Sequence, residues 1–296
     1  MMRFTKIGLA AGLFGAASLA WGFDLNDTFN SLKAATEKKD AAQVKTLAPQ
    51  AAKEARAIQA QADATADVKE FAKGAEEYSE YALSMVAAQS ADAQATIDLT
   101  DLLLEQNGKS KHVDTATPAY LAALNKQGAA KASAGAQKVL AGRPENEDAM
   151  YQLTIGNPAT GGPSATRLLA LLRSKAKPEG ISDADWQKKK DVMMGGAYYV
   201  AGLNAGSRQA WADCDRNLKA AEPLLKGNSQ MLGITYFYLG LANYQMGKLT
   251  QDRTKIQAGL KYSQQSAAIP GPMQNQAFTN VNAMSKELGA PAAGRR

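Results

Sequence analysis

The 296 residues include a single cysteine and a single histidine, and each scarcity removes a class of function. Cys214 has no second cysteine to pair with, so no internal disulfide forms and stability has to come from core packing. With His112 alone, neither a histidine-based triad nor a multi-histidine metal site can be built within one chain. Aromatic residues make up only 7% of the sequence. Strand-like alternation of apolar and polar residues is nearly absent, Tyr151 to Ile155 being the only short candidate. Past the extreme N-terminus, no stretch is apolar enough to span a bilayer.

The N-terminus has the order of an export signal. Arg3 and Lys6 supply a positive start, and Ile7 to Leu19 follow without a charge. Small residues then mark two cleavage points, after Ala20 or after Gly22. The run is shorter than the roughly 20 residues of a transmembrane helix, and no cysteine stands at the cleavage point to carry a lipid. Residues 1–22 are therefore expected to be a cleaved signal peptide. Losing them removes Arg3, Lys6 and no carboxylate, so the formal charge falls from +6 to +4. The basic runs Lys38-Lys39, Lys188 to Lys190 and Arg295-Arg296 are short and scattered, which reads as solvated helix faces rather than a nucleic-acid surface.

What the chain has in quantity is helical periodicity. Val68, Phe71, Ala75, Tyr78, Ala82 and Met85 recur in steps of three and four. So do Trp211, Cys214, Leu218, Ala221 and Leu225, and so do Phe278, Val281, Met284 and Leu288. Each set places one apolar stripe on one helix face, and Cys214 sits on such a stripe as a small buried hydrophobe. Leu25, Phe29 and Leu32, then Val44, Leu47 and Ala51, are shorter versions. Turn chemistry at Asn107-Gly108, Gly142 to Pro144, Gly156 to Pro163, Pro178 to Ser182, Gly227-Asn228 and Pro270 to Pro272 divides the stripes into about ten helices. Thr117-Pro118 reads as a helix start, and Ser182 with Asp185 as a capping box with Asp in place of Glu. The fold class is all-α. A soft boundary near 107–117 separates an N-terminal helical region (23–110) from helical hairpins over 111–288, and residues 289–296 form a tail. Helices joined by short loops pack antiparallel, which leaves two architectures, an open solenoid of hairpins or a closed bundle.

One stretch is more specific. Tyr236, Leu239-Gly240, Ala242, Tyr244 and Gly247 follow the large, small and aromatic order of a first repeat helix, and this stretch resembles the tetratricopeptide repeat family. In the second helix, Gly259, Ser263 and Ser266 take the remaining small and aromatic places and Pro270 the closing proline, once about seven residues (Thr250 to Ile256) are inserted; Tyr262 is the displaced aromatic. Fainter echoes occur around Met194 to Tyr199 and over Tyr120 to Pro144. The resemblance implies an irregular α-solenoid whose first helices line a groove that binds a protein or peptide. Its groove positions fall on Phe237, Tyr238, Leu241, Tyr244 and Gln245; the competing reading of the same stripe is core packing against a neighbouring hairpin.

Other candidates carry less. Gly156 to Ser164 imitates half of a phosphate loop, but the Lys after the second glycine is missing and Pro163 removes a backbone donor. Glu76, Glu77 and Glu80 are paired carboxylates on paper, and they alternate with Tyr78 and Tyr81 as an acidic outer face would. His112, beside Lys111, reads as a solvated loop residue. No cofactor or metal is expected. These features define an exported, non-catalytic binding scaffold of the cell envelope, most simply periplasmic. The alternative is a helical bundle carrying a small apolar ligand.

Overall fold

The computed structural model describes residues 18–289. Most of the expected leader (residues 1–17) and the tail from residue 290 lie outside the described residues. Within them the chain is helical throughout, with thirteen α-helices and no strand. Tyr151 to Ile155, the one strand candidate, is part of a helix. The chain forms two compact units that divide between Ala149 and Met150.

Unit 1 contains α1 (Ser18–Glu37), α2 (Ala41–Gln59), α3 (Ala66–Gln89), α4 (Ala93–Asn107), α5 (Val113–Gln127) and α6 (Ala129–Gly142). Each helix packs on the next, and each also touches the next but one: α1 on α3, α3 on α5, α2 on α4 and α4 on α6. This is the contact pattern of three stacked hairpins in two layers. In a closed bundle the first and last helices would meet, and among the described residues α1 touches neither α5 nor α6. The core is built from Leu25, Leu32, Leu83, Leu99 and Leu103 among many fully buried alanines, whose small volume lets helix axes approach closely. The loop at 107–117 joins α4 to α5 inside this unit.

Unit 2 receives the chain through α7 (Glu147–Gly156) and continues with α8 (Gly162–Ser174), α9 (Asp183–Ser207), α10 (Trp211–Ala221), a 3₁₀ turn at Glu222–Leu225, α11 (Ser229–Thr250), α12 (Arg253–Ala267) and α13 (Gln274–Glu287). α8 packs on α9, and α9–α10 and α11–α12 are hairpins. α9, α11 and α13 touch in succession to make one layer. The α11–α12 hairpin is the tightest. A Cβ on Gly240 would lie 2.5 Å from Ser263 Oγ, and one on Gly259 would lie 2.9 Å from the Gly240 carbonyl oxygen. The Ser266 hydroxyl donates to the Gly233 carbonyl at 2.8 Å across the same seam. The residues of the expected insertion lengthen α11 and start α12, with only Gln251 and Asp252 between them.

Two boundaries differ from the sequence reading. α5 begins at Val113, five residues before Pro118, because Ser110 turns the chain by accepting from the His112 N–H at 3.2 Å; Pro118 is then inside the helix. The helix count exceeds ten because several helices end without glycine or proline, α2 at Ala60 and α3 at Ser90 among them. Lys39, Gln209 and Gln251 take left-handed φ values of 55°, 59° and 55°, a conformation that residue type alone does not announce.

Candidate functional site

The sequence-derived groove residues all lie on α11, and the structure separates their roles. Phe237 is 9% exposed and packs with Ala267 of α12 and Ala277 of α13, so it is interior. Tyr238 and Leu241 are half-buried and lean on that cluster, where they meet Met273 and Phe278 from the α12–α13 turn and α13. The Tyr238 ring stands edge-on to Phe237, with centroids 5.3 Å apart. Its other edge is against α9, where a Cβ on Gly206 would lie 2.9 Å from it. Gln245 is half-buried one turn beyond Leu241. Tyr244 turns aside, its hydroxyl donating to Glu287 Oε2 at 2.7 Å while Glu287 also pairs with Lys248 at 3.3 Å.

The result is a partly buried apolar cluster of Tyr238, Leu241, Met273 and Phe278 floored by Phe237. Sequence reasoning missed Met273 and Phe278. Phe278 was on a recognised stripe, but nothing in the sequence brings that stripe beside α11. At the ends of α11, α12 and α13 an open cleft of about 470 Å³ is walled by Lys248, Arg253 and Glu287 among others, a charged rim unlike that of an apolar ligand chamber.

Cys214 is fully buried on α10, its Sγ 4.0 Å from the Tyr238 carbonyl oxygen, and burial pushes its pKa up to about 12. The loop before α8 is an ordinary turn, with Gly161 N–H donating to the Asn157 carbonyl and Asn204 of α9 clasping Ala159.

Unit 1 presents a different surface. Phe71, Phe29, Tyr78, Tyr81 and His112 form an unbroken ladder of ring contacts over α1, α3 and the start of α5, each 5.2 to 5.7 Å between centroids. Two expectations are corrected here. Glu80 is not on an outer face; it is 7% exposed and accepts from Asn107 Nδ2 at 2.9 Å. Glu76 is held by Arg56 and Gln59 of α2, and Glu77 by Lys111. His112 is not a solvated loop residue either. Its ring is half-buried on Tyr81, and its Nε2 is buried without a hydrogen-bond partner. Among the described residues no group of three or more His, Cys, Asp or Glu could hold a metal ion.

Burial holds His112 below its ordinary pKa of 6.5, Lys111 adds to this, and Glu80 and Glu77 oppose it. A histidine depressed in the folded state is neutral in both states above its ordinary pKa. As pH falls through 6.5 the unfolded chain takes up the proton first, so stability drops toward the lower folded pKa. Denaturant titrations across weakly acid pH are expected to show this loss in the wild type and not in His112→Gln, since no other histidine titrates there. An equal slope in both proteins would contradict the burial account.

Comparison with known proteins gives no match to this chain, whether to a protein-family model, a curated protein or a solved structure.

Proposed function

We propose that this chain is an exported helical-repeat scaffold of the cell envelope, most simply periplasmic, which binds a protein partner on the α11–α13 face of unit 2 and carries out no chemistry of its own. The observation that supports it best is the cluster of Tyr238 and Leu241 of α11, Met273 of the α12–α13 turn and Phe278 of α13, which pack together and keep a minor part of their surface accessible. Large side chains grouped over a rigid floor are the material of binding hot spots. The tetratricopeptide-like reading is favoured by the hairpin seam, where Gly259 meets Gly240 as the repeat's small positions require, while Ser263 stands where the repeat has an aromatic. Export rests on the order of charge, apolar run and small residues over residues 1–22.

The test is crosslinking of the tagged chain in its host, with a Tyr238→Ala/Leu241→Ala variant alongside and Phe237 left intact as core. The expected result is a partner captured by the wild type and lost by a variant whose circular dichroism and melting are unchanged. Capture of the same partner by the folded variant would reject this face as the site.

A further inference from the structure

His112 is the chain's one histidine, and the fold sets it where a proton is hard to accept. It is the N-cap residue of α5, and the N-terminal end of a helix disfavours a cation. Its ring lies edge-on against Tyr81 of α3, 5.7 Å between centroids, and closes the ladder of rings at that end. Nε2 is shut off from solvent with no hydrogen-bond partner, so a proton added there brings a charge and an N–H that both go unpaired. From α3, Glu77 and Glu80 face the ring; Lys111 and the exposed Lys109 share its turn, and α4 ends in the neutral Gln106 and Asn107. Both carboxylates are already engaged. Glu80 accepts from Asn107 Nδ2 at 2.9 Å, and Glu77 pairs with Lys111 at 2.5 Å. Burial and Lys111 outweigh them and hold the imidazole below its ordinary pKa.

We propose that His112 is an acid-released latch: neutral, it holds the α4–α5 turn on Tyr81, and protonated, its ring swings into water and uncovers that end of the ladder. The ring is only half-buried, so rotation about its own side-chain bonds brings it to solvent with no helix displaced. The turn it leaves is held by few bonds. Ser110 N–H donates to the Asn107 carbonyl, Val113 N–H to the Ser110 carbonyl, Thr115 N–H to the His112 carbonyl and His112 N–H to Ser110 Oγ, each at 3.0 to 3.2 Å. Val113, the next residue, is fully buried and anchors α5 after the ring has left. Acid therefore acts on one turn before it acts on the fold of the unit.

Because no other histidine is present, the imidazole C–H resonances of the full chain belong to His112 alone, and proton NMR reads its titration directly. The midpoint is expected below 6.5 in the folded chain, with the nuclear Overhauser contact between the His112 and Tyr81 rings lost over the same step. Hydrogen exchange reads the turn. Protection factors of the Ser110, His112, Val113 and Thr115 amides should fall by about threefold or more between neutral pH and about pH 5, while those inside α2 and α3 hold. His112→Phe keeps a ring on Tyr81 without a proton to gain, and should show no such step. A midpoint at or above 6.5, a ring contact that persists on the protonated side chain, or protection lost evenly across unit 1 or not at all would overturn the latch. So would the same step in a folded His112→Phe chain. The titration and the exchange need only the wild type, so they decide the matter even if that variant does not fold.

Discussion

Replacing Gly259 by alanine destabilises unit 2 by about 2 kcal/mol, although alanine is the better helix former by about 1 kcal/mol. The new Cβ would stand 2.9 Å from the Gly240 carbonyl oxygen and 3.0 Å from the Tyr244 nitrogen. Both are main-chain atoms, so no rotamer change relieves the overlap and the two helices must separate. Separation lengthens the Ser266 to Gly233 hydrogen bond and loosens contacts along the seam. Gly74 on α3 supplies the opposite case, because a Cβ there meets nothing within 4 Å. Gly74→Ala is expected to stabilise unit 1 by up to about 1 kcal/mol. Urea denaturation checks both, with the fluorescence of Trp186 and Trp211 reporting unit 2 and circular dichroism the whole chain. A neutral or stabilising Gly259→Ala would show that the hairpin is not held at main-chain contact.

The second large effect is at Asn146, 1% exposed and immediately before α7. Its Nδ2 donates to Asp114 Oδ1 at 2.8 Å and to Thr117 Oγ1 at 3.3 Å, and its Oδ1 accepts from the Ala149 N–H at 2.9 Å. Arg143 grips the same Asp114 carboxylate through Nε and Nη2. Asn146→Ala leaves a buried N–H and part of a carboxylate without partners, and is expected to cost about 2 to 3 kcal/mol. Asn146→Asp keeps the acceptor for Ala149 but sets a second carboxylate against Asp114. It should be the worse variant at neutral pH and recover in part as acid protonates one of the pair. Melting temperatures of the three proteins at neutral and mildly acid pH decide this. If Asn146→Asp is no worse than wild type at neutral pH, the donor role of Nδ2 is wrong.

The periodic stripes were legible in the sequence because burial imposes a 3.6-residue repeat, and they lie in α-helices except for their last members Leu225, in the 3₁₀ turn, and Leu288, just past α13. Breaks made by Gly, Pro or Asn were legible for the same kind of reason. Those at Lys39, Gln209 and Gln251 were not, since tertiary packing holds ordinary residues in a conformation their chemistry does not favour. Ser182 did cap α9, accepting from the Asp185 N–H at 3.1 Å. Asp185, one methylene shorter than Glu, accepts the serine hydroxyl. Asp40, Thr65, Asp92, Asn228 and Asp252 also cap their helices, their side chains accepting from backbone N–H groups two or three residues on. Of the candidate site, the α11 residues were found through a repeat pattern. Their neighbours Met273 and Phe278, and the division between floor and face at Phe237, depend on which helices meet, and one helix's periodicity does not carry that.

The burial of Cys214 has a consequence for where the chain can reside. A thiol whose pKa stands near 12 holds almost no thiolate at neutral pH, and it is the thiolate that reacts with oxidants and disulfides. Enclosed between α9, α10 and α11, it exchanges with neither glutathione nor an oxidising partner while unit 2 stays folded. The fold therefore makes the chain indifferent to the redox state of its surroundings, and only a molecule that has opened unit 2 exposes a thiol to be trapped.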